Sequence, residues 1–545
     1  MDVRKNVGLM TIFRARSIVT MTRESPEAFV TLGERIVATG SVADLRERFP
    51  GSDVVDLGDS VIVPGFNDAH GHIGIVAEDA LHLDLSWDSI RSLAELFEKF
   101  RAEKVKTPPG QWLRGSRYDD AKMAEGRVVT RFDLDDVSSE HPIFVHHVAG
   151  HWCVVNSKAL ELAGVDDDVA DPPGGRYDRD ASGRLNGILH ETAMELFWSH
   201  STESSKPLLP TASLEDRLQG FRRTQSAFHA SGITSLTDAF VQPHDVELFE
   251  EANKRGDLSL RLNMLIVHQA YEHVRGLGLR NGFGDERLRF GGVKAFVDGA
   301  IGGRTCLMEE PFEGTSDDHG IQRTSDSELR DIVRMVHLDG NRICVHANGD
   351  RAISKLLDQL EAAWNERPQA GLRHRIEHCT IVTEDIIERM SRLNAIAVPF
   401  GSYVYYHGAK LLDWYGPERI ERMFAHRTFL DAGIGVAGSS DFPCGPYQPL
   451  LAMQSCVTRT GFDGAPLGLS QRITADEALA LYTVAGAVAS GEEHIKGRLA
   501  PGYLADFVAL DADPRTVDPS RIGNIGVRAT FVGGALVSGI IDGGA

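Results

Sequence analysis

Short runs of alternating apolar and polar residues mark the two ends of this chain, and helix-spaced apolar positions fill its middle. Residues 8–14, 28–32 and 35–40 alternate between turns and predict short strands, with a helical piece near 44–48. Residues 505–514, 527–532 and 535–539 repeat that texture around glycines. Strand-rich ends that flank an α/β middle predict that residues 1–60 and 493–545 meet in one small β-sandwich-like domain.

Between the ends, β-branched apolar runs alternate with amphipathic stretches, the pattern of βα units around a parallel sheet. The predicted strands lie at 61–63, 232–238, 259–267, 291–298, 342–346, 374–378, 395–398 and 434–438. Eight strands with helices between them predict a TIM (β/α)8 barrel over residues 61–492. A long excursion at about 74–225 holds helical runs at 92–104 and 215–230 and a Gly/Pro/Asp-rich stretch at 166–187. A segment this long carries structure of its own and is predicted to roof the barrel mouth.

Composition narrows the function classes. At 545 residues, with 42% hydrophobic and 25% charged positions, the chain suits a globular enzyme with a large domain and a smaller one. A net charge of −21 argues against nucleic acid or an anionic membrane as partner and leaves a small molecule as the expected one. Cys153, Cys306, Cys344, Cys379, Cys444 and Cys456 are scattered without a C-x-x-C pair, so free thiols in a reducing compartment are expected. No leader-like segment opens the sequence and no run of about 18 apolar residues occurs, which predicts a cytoplasmic location.

The chemistry gathers at predicted strand ends, where TIM barrels build their sites. His70 and His72 are two residues apart after the run at 61–63, and on an extended strand such a pair points the same way. With 21 histidines one such pair arises by chance, so its weight rests on ligand-type residues at the ends of later strands. Lys294 lies in the fourth predicted strand, His346 and His378 end the fifth and sixth, and Asp441 comes after the eighth. Neutral imidazole and carboxylate suit a divalent transition metal, most often zinc.

This order of His-x-His, Lys, His, His and Asp resembles the amidohydrolase superfamily. The phrases at 294–305, 346–353 and 373–378, with those at 171–176, 183–187 and 499–510, are similar to its YtcJ-like branch, which includes N-substituted formamide deformylases. The resemblance covers nearly the whole chain. It implies that Lys294 is carbamylated and bridges two divalent ions, with His70, His72 and Asp441 holding one and His346 and His378 the other. Two metals about 3.5–4 Å apart lower the pKa of water and polarise a carbonyl. Asp441 would take the water proton and pass it to the leaving nitrogen. The structural alternatives are an unmodified Lys294 paired to a carboxylate beside one metal, and Asp441 as a helix cap after Ser439 and Ser440.

His146, His147 and His151 cluster and could form a second metal site, contact substrate or simply pack. In the resembled branch a histidine-containing segment here contributes to the pocket, which points to His151 and Trp152 as substrate contacts. Arg304 either grips a polar substrate group or pairs with an acid, and Tyr403, Tyr405 and Tyr406 either line the pocket or pack. Cys344 is expected to pack below His346 and Cys379 to point away, so neither reads as a nucleophile. The leading function is metal-dependent hydrolysis of a non-peptide C–N bond in an amide, N-acyl or N-formyl group. The runner-up is a cyclic amide, ester or carbamate at the same site. From another class, a catalytically silent regulatory or binding protein would not need the complete ligand set. A homodimer is a common outcome for such barrels.

Overall fold

The computed structural model describes residues 10–202 and 206–541. Its centre is a sheet of eight strands, all paired in parallel and in chain order: β1 (Phe66–Gly71), β2 (Ile233–Val241), β3 (Arg261–Val267), β4 (Leu288–Phe296), β5 (Ile343–Ala347), β6 (Arg375–His378), β7 (Ile396–Val398) and β8 (Gly435–Val436). The sheet curls until its first and last strands meet. Ala69 N donates to Gly438 O at 3.1 Å, and Asp441 N donates to His70 O at 2.8 Å. Helices cover its outer face, and β2 and β3 are buried along their whole lengths. Burial on both faces explains why most of these strands read as continuous apolar runs. An α/β chain with an eight-stranded parallel sheet is therefore present as expected.

One strand needs correction. The apolar run that the sequence suggests as the first sheet strand, at 61–63, belongs elsewhere. Val61–Pro64 pairs antiparallel with Phe507–Leu510 and parallel with Ser17–Ile18. After the break at Pro64–Gly65 the chain enters β1, which pairs with β2. Gly65 permits the crossing, because a Cβ there would sit 2.2 Å from Thr234 Oγ1.

The two chain ends form two further sheets. Met10–Arg14, Ala28–Leu32, Arg35–Gly40 and Asp53–Asp56 make one of four strands. Ser17–Ile18, Val61–Pro64, Phe507–Leu510, Val527–Val532 and Ala535–Gly539 make one of five, so strands from both ends share a sheet. Residues 8 and 9 of the first predicted strand lie outside the described residues. Phe13 packs between Phe29 (ring centroids 5.5 Å) and Phe507 (4.9 Å), and Phe507 stacks on Phe531 at 4.4 Å.

The excursion after β1 carries a six-stranded sheet of its own, from Leu83–Asp84 to Leu185–Glu191, with a separate core around Phe100, Tyr118 and Val154. Its Gly/Pro/Asp-rich stretch supplies the hairpin strands Gly175–Arg179 and Leu185–Glu191. Helix α1 (Ile73–Asp79) comes directly after β1, and α2 (Leu214–Ala230) closes the excursion and packs across α1. Ser213 caps α2 by accepting from Asp216 N, with Glu215 and Asp216 in its first turn.

Candidate metal centre

Five strand ends of the curled sheet deliver the six predicted ligands to one cavity, which is lined by His70, His72, Lys294, His346, His378 and Asp441. Burial makes this arrangement costly unless each polar group finds a partner. His70 Nδ1 donates to Glu377 Oε2 at 2.5 Å, which fixes the proton on that nitrogen and leaves Nε2 as a lone pair. That Nε2 is buried without a hydrogen bond and lies 3.3 Å from Asp441 Oδ1. His72 Nε2 lies 2.8 Å from the same oxygen. His346 turns its Nε2–H to the Gly299 carbonyl at 3.0 Å, which frees Nδ1, and His378 has a buried, unpartnered Nδ1.

The tightest donor set combines His70, His378 and Asp441, whose ligand atoms all lie within 4.8 Å of one another. It takes one histidine from each of the two pairs that the sequence assigns to separate ions. His346 stands beside it, its ring 4.5 Å from that of His378. Two buried imidazoles with uncommitted lone pairs and a carboxylate between them fit a divalent cation.

The protonation states agree. Burial holds the His346 and His378 imidazoles well below their usual range, so both are neutral. Burial alone would raise Asp441, but the neighbouring His70 and His72 override it and hold the carboxyl well below its usual range. Burial also lowers the Lys294 ammonium to about 8, against the opposing pull of Glu377 and Asp441. A neutral lysine amine is thereby accessible near neutrality.

Backbone geometry aims these groups. Successive strand residues normally face opposite sides, yet Glu377 touches His70 and His378 lies with its ring 4.7 Å from the same side chain. A left-handed φ of 69° at His378 makes this turn, and Asp441 has a φ of 51°. Asp68 clamps the junction of first and last strands. It accepts from Ser440 Oγ at 2.5 Å, Ser440 N at 3.0 Å and His70 N at 3.2 Å.

The predicted substrate contacts separate. His151 lines the cavity, with its ring 4.9 Å from that of His346. Trp152, the next residue, faces the core of the inserted sheet and stacks on His147 at 3.9 Å, so it does not line the cavity. Tyr403 lies one layer back, stacked at 3.9 Å on Phe400, which itself stacks on His378 at 4.4 Å. Arg304 packs on Phe312 at 5.2 Å, and among the described residues it forms no ion pair and does not reach the cavity wall. Tyr406 lies under the Lys122 ammonium. The three clustered histidines diverge: His146 faces the cavity, while His147 bonds Asp120 at 3.1 Å. Cys344 packs with Ala239 and Leu265, and the Cys379 thiol turns to Met390.

Sequence reasoning missed Glu377, Asp68, Glu191, Arg323 and the cavity thiol Cys444. Glu377 had a signal, because Arg375-x-Glu377 puts opposite charges on one strand face, where they pair at 2.7 Å. Glu191 and Arg323 had none, since a strand of the inserted sheet and an irregular loop bring them in.

The amidohydrolase family model matches residues 53–538. The Bacillus subtilis (strain 168) protein YtcJ is 29% identical over 536 residues, spanning 97% of this chain and 99% of its own length. The N-substituted formamide deformylase of Arthrobacter pascens is 30% identical over 519 residues, 94% of each chain. An uncharacterized metal-dependent hydrolase from Pyrococcus horikoshii OT3 is similar in structure, with a TM-score of 0.75 at 23% identity over 94% of this chain and 99% of that one.

Proposed function

The chain belongs to the amidohydrolase family, and we propose that it is a metal-dependent hydrolase of a non-peptide C–N bond, in an amide, N-acyl or N-formyl group. The observation that carries this reading is the buried donor set of His70, His378 and Asp441, with lone pairs left unpartnered. A divalent cation held there would supply Lewis acidity, acidifying water and polarising a carbonyl. We take the curled sheet as a TIM barrel and the sheets of the two chain ends as a small companion domain.

Each residue then has a task. His70, held by Glu377, and His72 both approach Asp441 Oδ1, and His346, His378 and Lys294 line the same cavity. The uncharged Lys294 amine can add to CO₂, forming an N–C bond and losing one proton to become a carbamate. That product replaces a cation by a carboxylate able to bridge two ions, for which zinc suits the donors best. Asp441 accepts a proton from water and returns it to the leaving nitrogen as the C–N bond breaks. The apolar walls at Trp198, Phe240 and Phe296 exclude competing water.

Elemental analysis of reconstituted protein, paired with turnover of N-formyl, N-acyl and cyclic amides, tests site and chemistry together. About two metals per chain are expected, with loading faster when bicarbonate is present. A stoichiometry that stays at or below about one overturns the binuclear arrangement. Absence of turnover in metal-replete protein across those amides overturns the enzyme.

A further inference from the structure

We infer that His200, His244 and Asp245 form a second divalent-metal site, suited to zinc, which fastens the inserted segment to the helix that follows β2. None of the three residues lines the central cavity, so the site is separate from the candidate metal centre and does not depend on the hydrolase reading.

Two stretches far apart in the chain meet here. His200 lies in a turn of the inserted segment, and His244 and Asp245 occupy the first turn of helix Pro243–Arg255, which starts directly after β2. Their ligand atoms, one from each residue, all lie within 4.8 Å of one another. His244 Nε2 is 3.6 Å and His200 Nε2 is 3.9 Å from Asp245 Oδ1, and the two ring centroids are 5.0 Å apart. These separations are too long for hydrogen bonds, and neither Nε2 has a hydrogen-bond partner among the described residues. They are close to what a tetrahedral zinc ion imposes, since bonds of about 2.0–2.1 Å set its ligand atoms about 3.4 Å apart.

The ligands are held from behind. Ser199 Oγ gives its proton to Glu78 Oε1 at 2.9 Å, so towards His200 Nδ1, 3.4 Å away, it can only accept. The His200 proton therefore sits on Nδ1, and Nε2 presents a lone pair beside Asp245. A metal-binding imidazole commonly commits its other nitrogen outward in this way. His200 is 1% exposed, and burial brings its pKa down to about 3, so the ring is uncharged at neutral pH. Asp245 is oriented by its own helix. Gln242 N donates to Oδ2 at 3.0 Å, which leaves Oδ1 for the histidines, and the Gln242 side-chain amide donates to the His200 carbonyl. Gln242 thus ties the two stretches together before any ion binds. Arg217 also donates to Oδ1, but that oxygen has two lone pairs and can serve guanidinium and metal together. A second cluster of metal-binding residue types, Asp119, Asp120 and His147, lacks this property. There Ala149 N donates to His147 Nδ1 and Asp120 bonds Nε2 at 3.1 Å, so neither ring nitrogen is left over. At His200 and His244 two buried nitrogens remain without a donor, a costly arrangement that a divalent cation beside Asp245 relieves.

The test counts zinc per chain by elemental analysis, after saturation with zinc chloride and gel filtration into metal-free buffer. A His70→Ala, His378→Ala background, which dismantles the candidate metal centre, is expected to keep about one zinc. Adding His244→Ala should remove it, and His244 is chosen because its side chain is partly exposed and its loss spares the core. Zinc should raise the thermal midpoint of the background protein and leave that of the triple variant unmoved, because an ion bound only by the folded state stabilises it. Wild-type crystals answer the same question without any substitution. Anomalous diffraction at the zinc edge is expected to give a peak between His200, His244 and Asp245. A background protein that binds no zinc, a triple variant that keeps its zinc, or a wild type with only water between these side chains overturns the inference. Each of those results leaves the hydrolase reading untouched, since that reading stands on turnover and on metal at His70, His378 and Asp441.

Discussion

A carboxylate hydrogen-bonded to an imidazole decides which ring nitrogen is left for a metal, and Glu377 does this for His70. Arg375 grips Glu377 through Nε at 2.7 Å and Nη2 at 2.9 Å, and also ties the carbonyl of Ala69 at 2.7 Å. Burial opposes the Glu377 charge, yet Arg375 and His70 keep its carboxyl well below the usual range. Glu377→Gln preserves the shape but weakens that hold. A 10–100-fold loss of metal affinity is expected, measured by chelator competition, with the far-UV spectrum unchanged. Unaltered affinity would show that His70 needs no such partner. Asp441→Asn keeps the side-chain volume and removes the proton acceptor, so kcat should fall about 10²–10⁴-fold; near-wild-type turnover with metal still bound would move the base elsewhere. The six candidate ligands were legible because each sits at or near the end of an apolar run, where the chain leaves the sheet. Trp152 illustrates the limit: one residue along a strand reverses the face, so adjacency to His151 placed it in the wrong core.

Among the elements, β1 was the hardest to identify from hydrophobicity. Its six residues are all buried, yet they include Asn67, Asp68 and His70. Part of this polarity is met by residues far along the chain, with the backbone N–H of Asn67 donating to Tyr482 O at 2.7 Å and Asp68 bound to Ser440, while Asn67 Nδ2 and His70 Nε2 have no hydrogen-bond partner among the described residues. No local pattern announces such partners, whereas β2 to β5 and β7 bury mostly apolar side chains and stand out as runs. Helix α1 starts immediately after His72 and is held by α2 at a close backbone crossing. A Cβ on Gly220 of α2 would lie 1.9 Å from the carbonyl oxygen of Ala77, so Gly220→Ala must push α1 away. Overpacking of this kind costs about 1–3 kcal/mol. Gly220→Ala should therefore lower the thermal midpoint and, through α1, weaken metal binding at His72. An unchanged midpoint would mean that the two helices separate freely. The same substitution at the exposed C-cap Gly164 of helix Ser157–Ala163, where a Cβ meets nothing within 4 Å, would strain only its left-handed backbone (φ 67°) and should leave metal binding intact.

Across the whole molecule, an ion cluster built on the buried Arg261 and Asp506, with the exposed Glu34, joins the curled sheet to the two chain ends. Arg261, in β3 and 1% exposed, pairs with Asp506 at 2.6 Å and with Glu34 at 2.8 Å. Strand alternation at the ends was readable, but this junction between residues 34, 261 and 506 was not, because nothing local couples them. Burial would raise the Asp506 carboxyl; Arg261 and the Gly533 N–H more than reverse this and hold it below its ordinary value. A carboxyl depressed on folding stabilises the protein above its unfolded value of about 3.9 and stops doing so as pH falls through its lower folded value. Arg261→Met removes the largest influence opposing burial and leaves the Gly533 N–H and Arg287, so the folded Asp506 value is expected to rise, and the variant loses the stability that a depressed carboxyl supplies above its unfolded value. Removing the cation from such a pair costs about 3–5 kcal/mol, most of it from leaving Asp506 charged and buried. The wild-type lead in thermal midpoint should therefore be widest near neutrality and shrink as pH approaches about 4. Adding Asp506→Asn to Arg261→Met should recover part of the loss at neutral pH, since it removes the stranded charge. Midpoints that differ by the same amount at both pH values, or a double variant no better than the single, would show that this cluster does not hold the ends to the sheet.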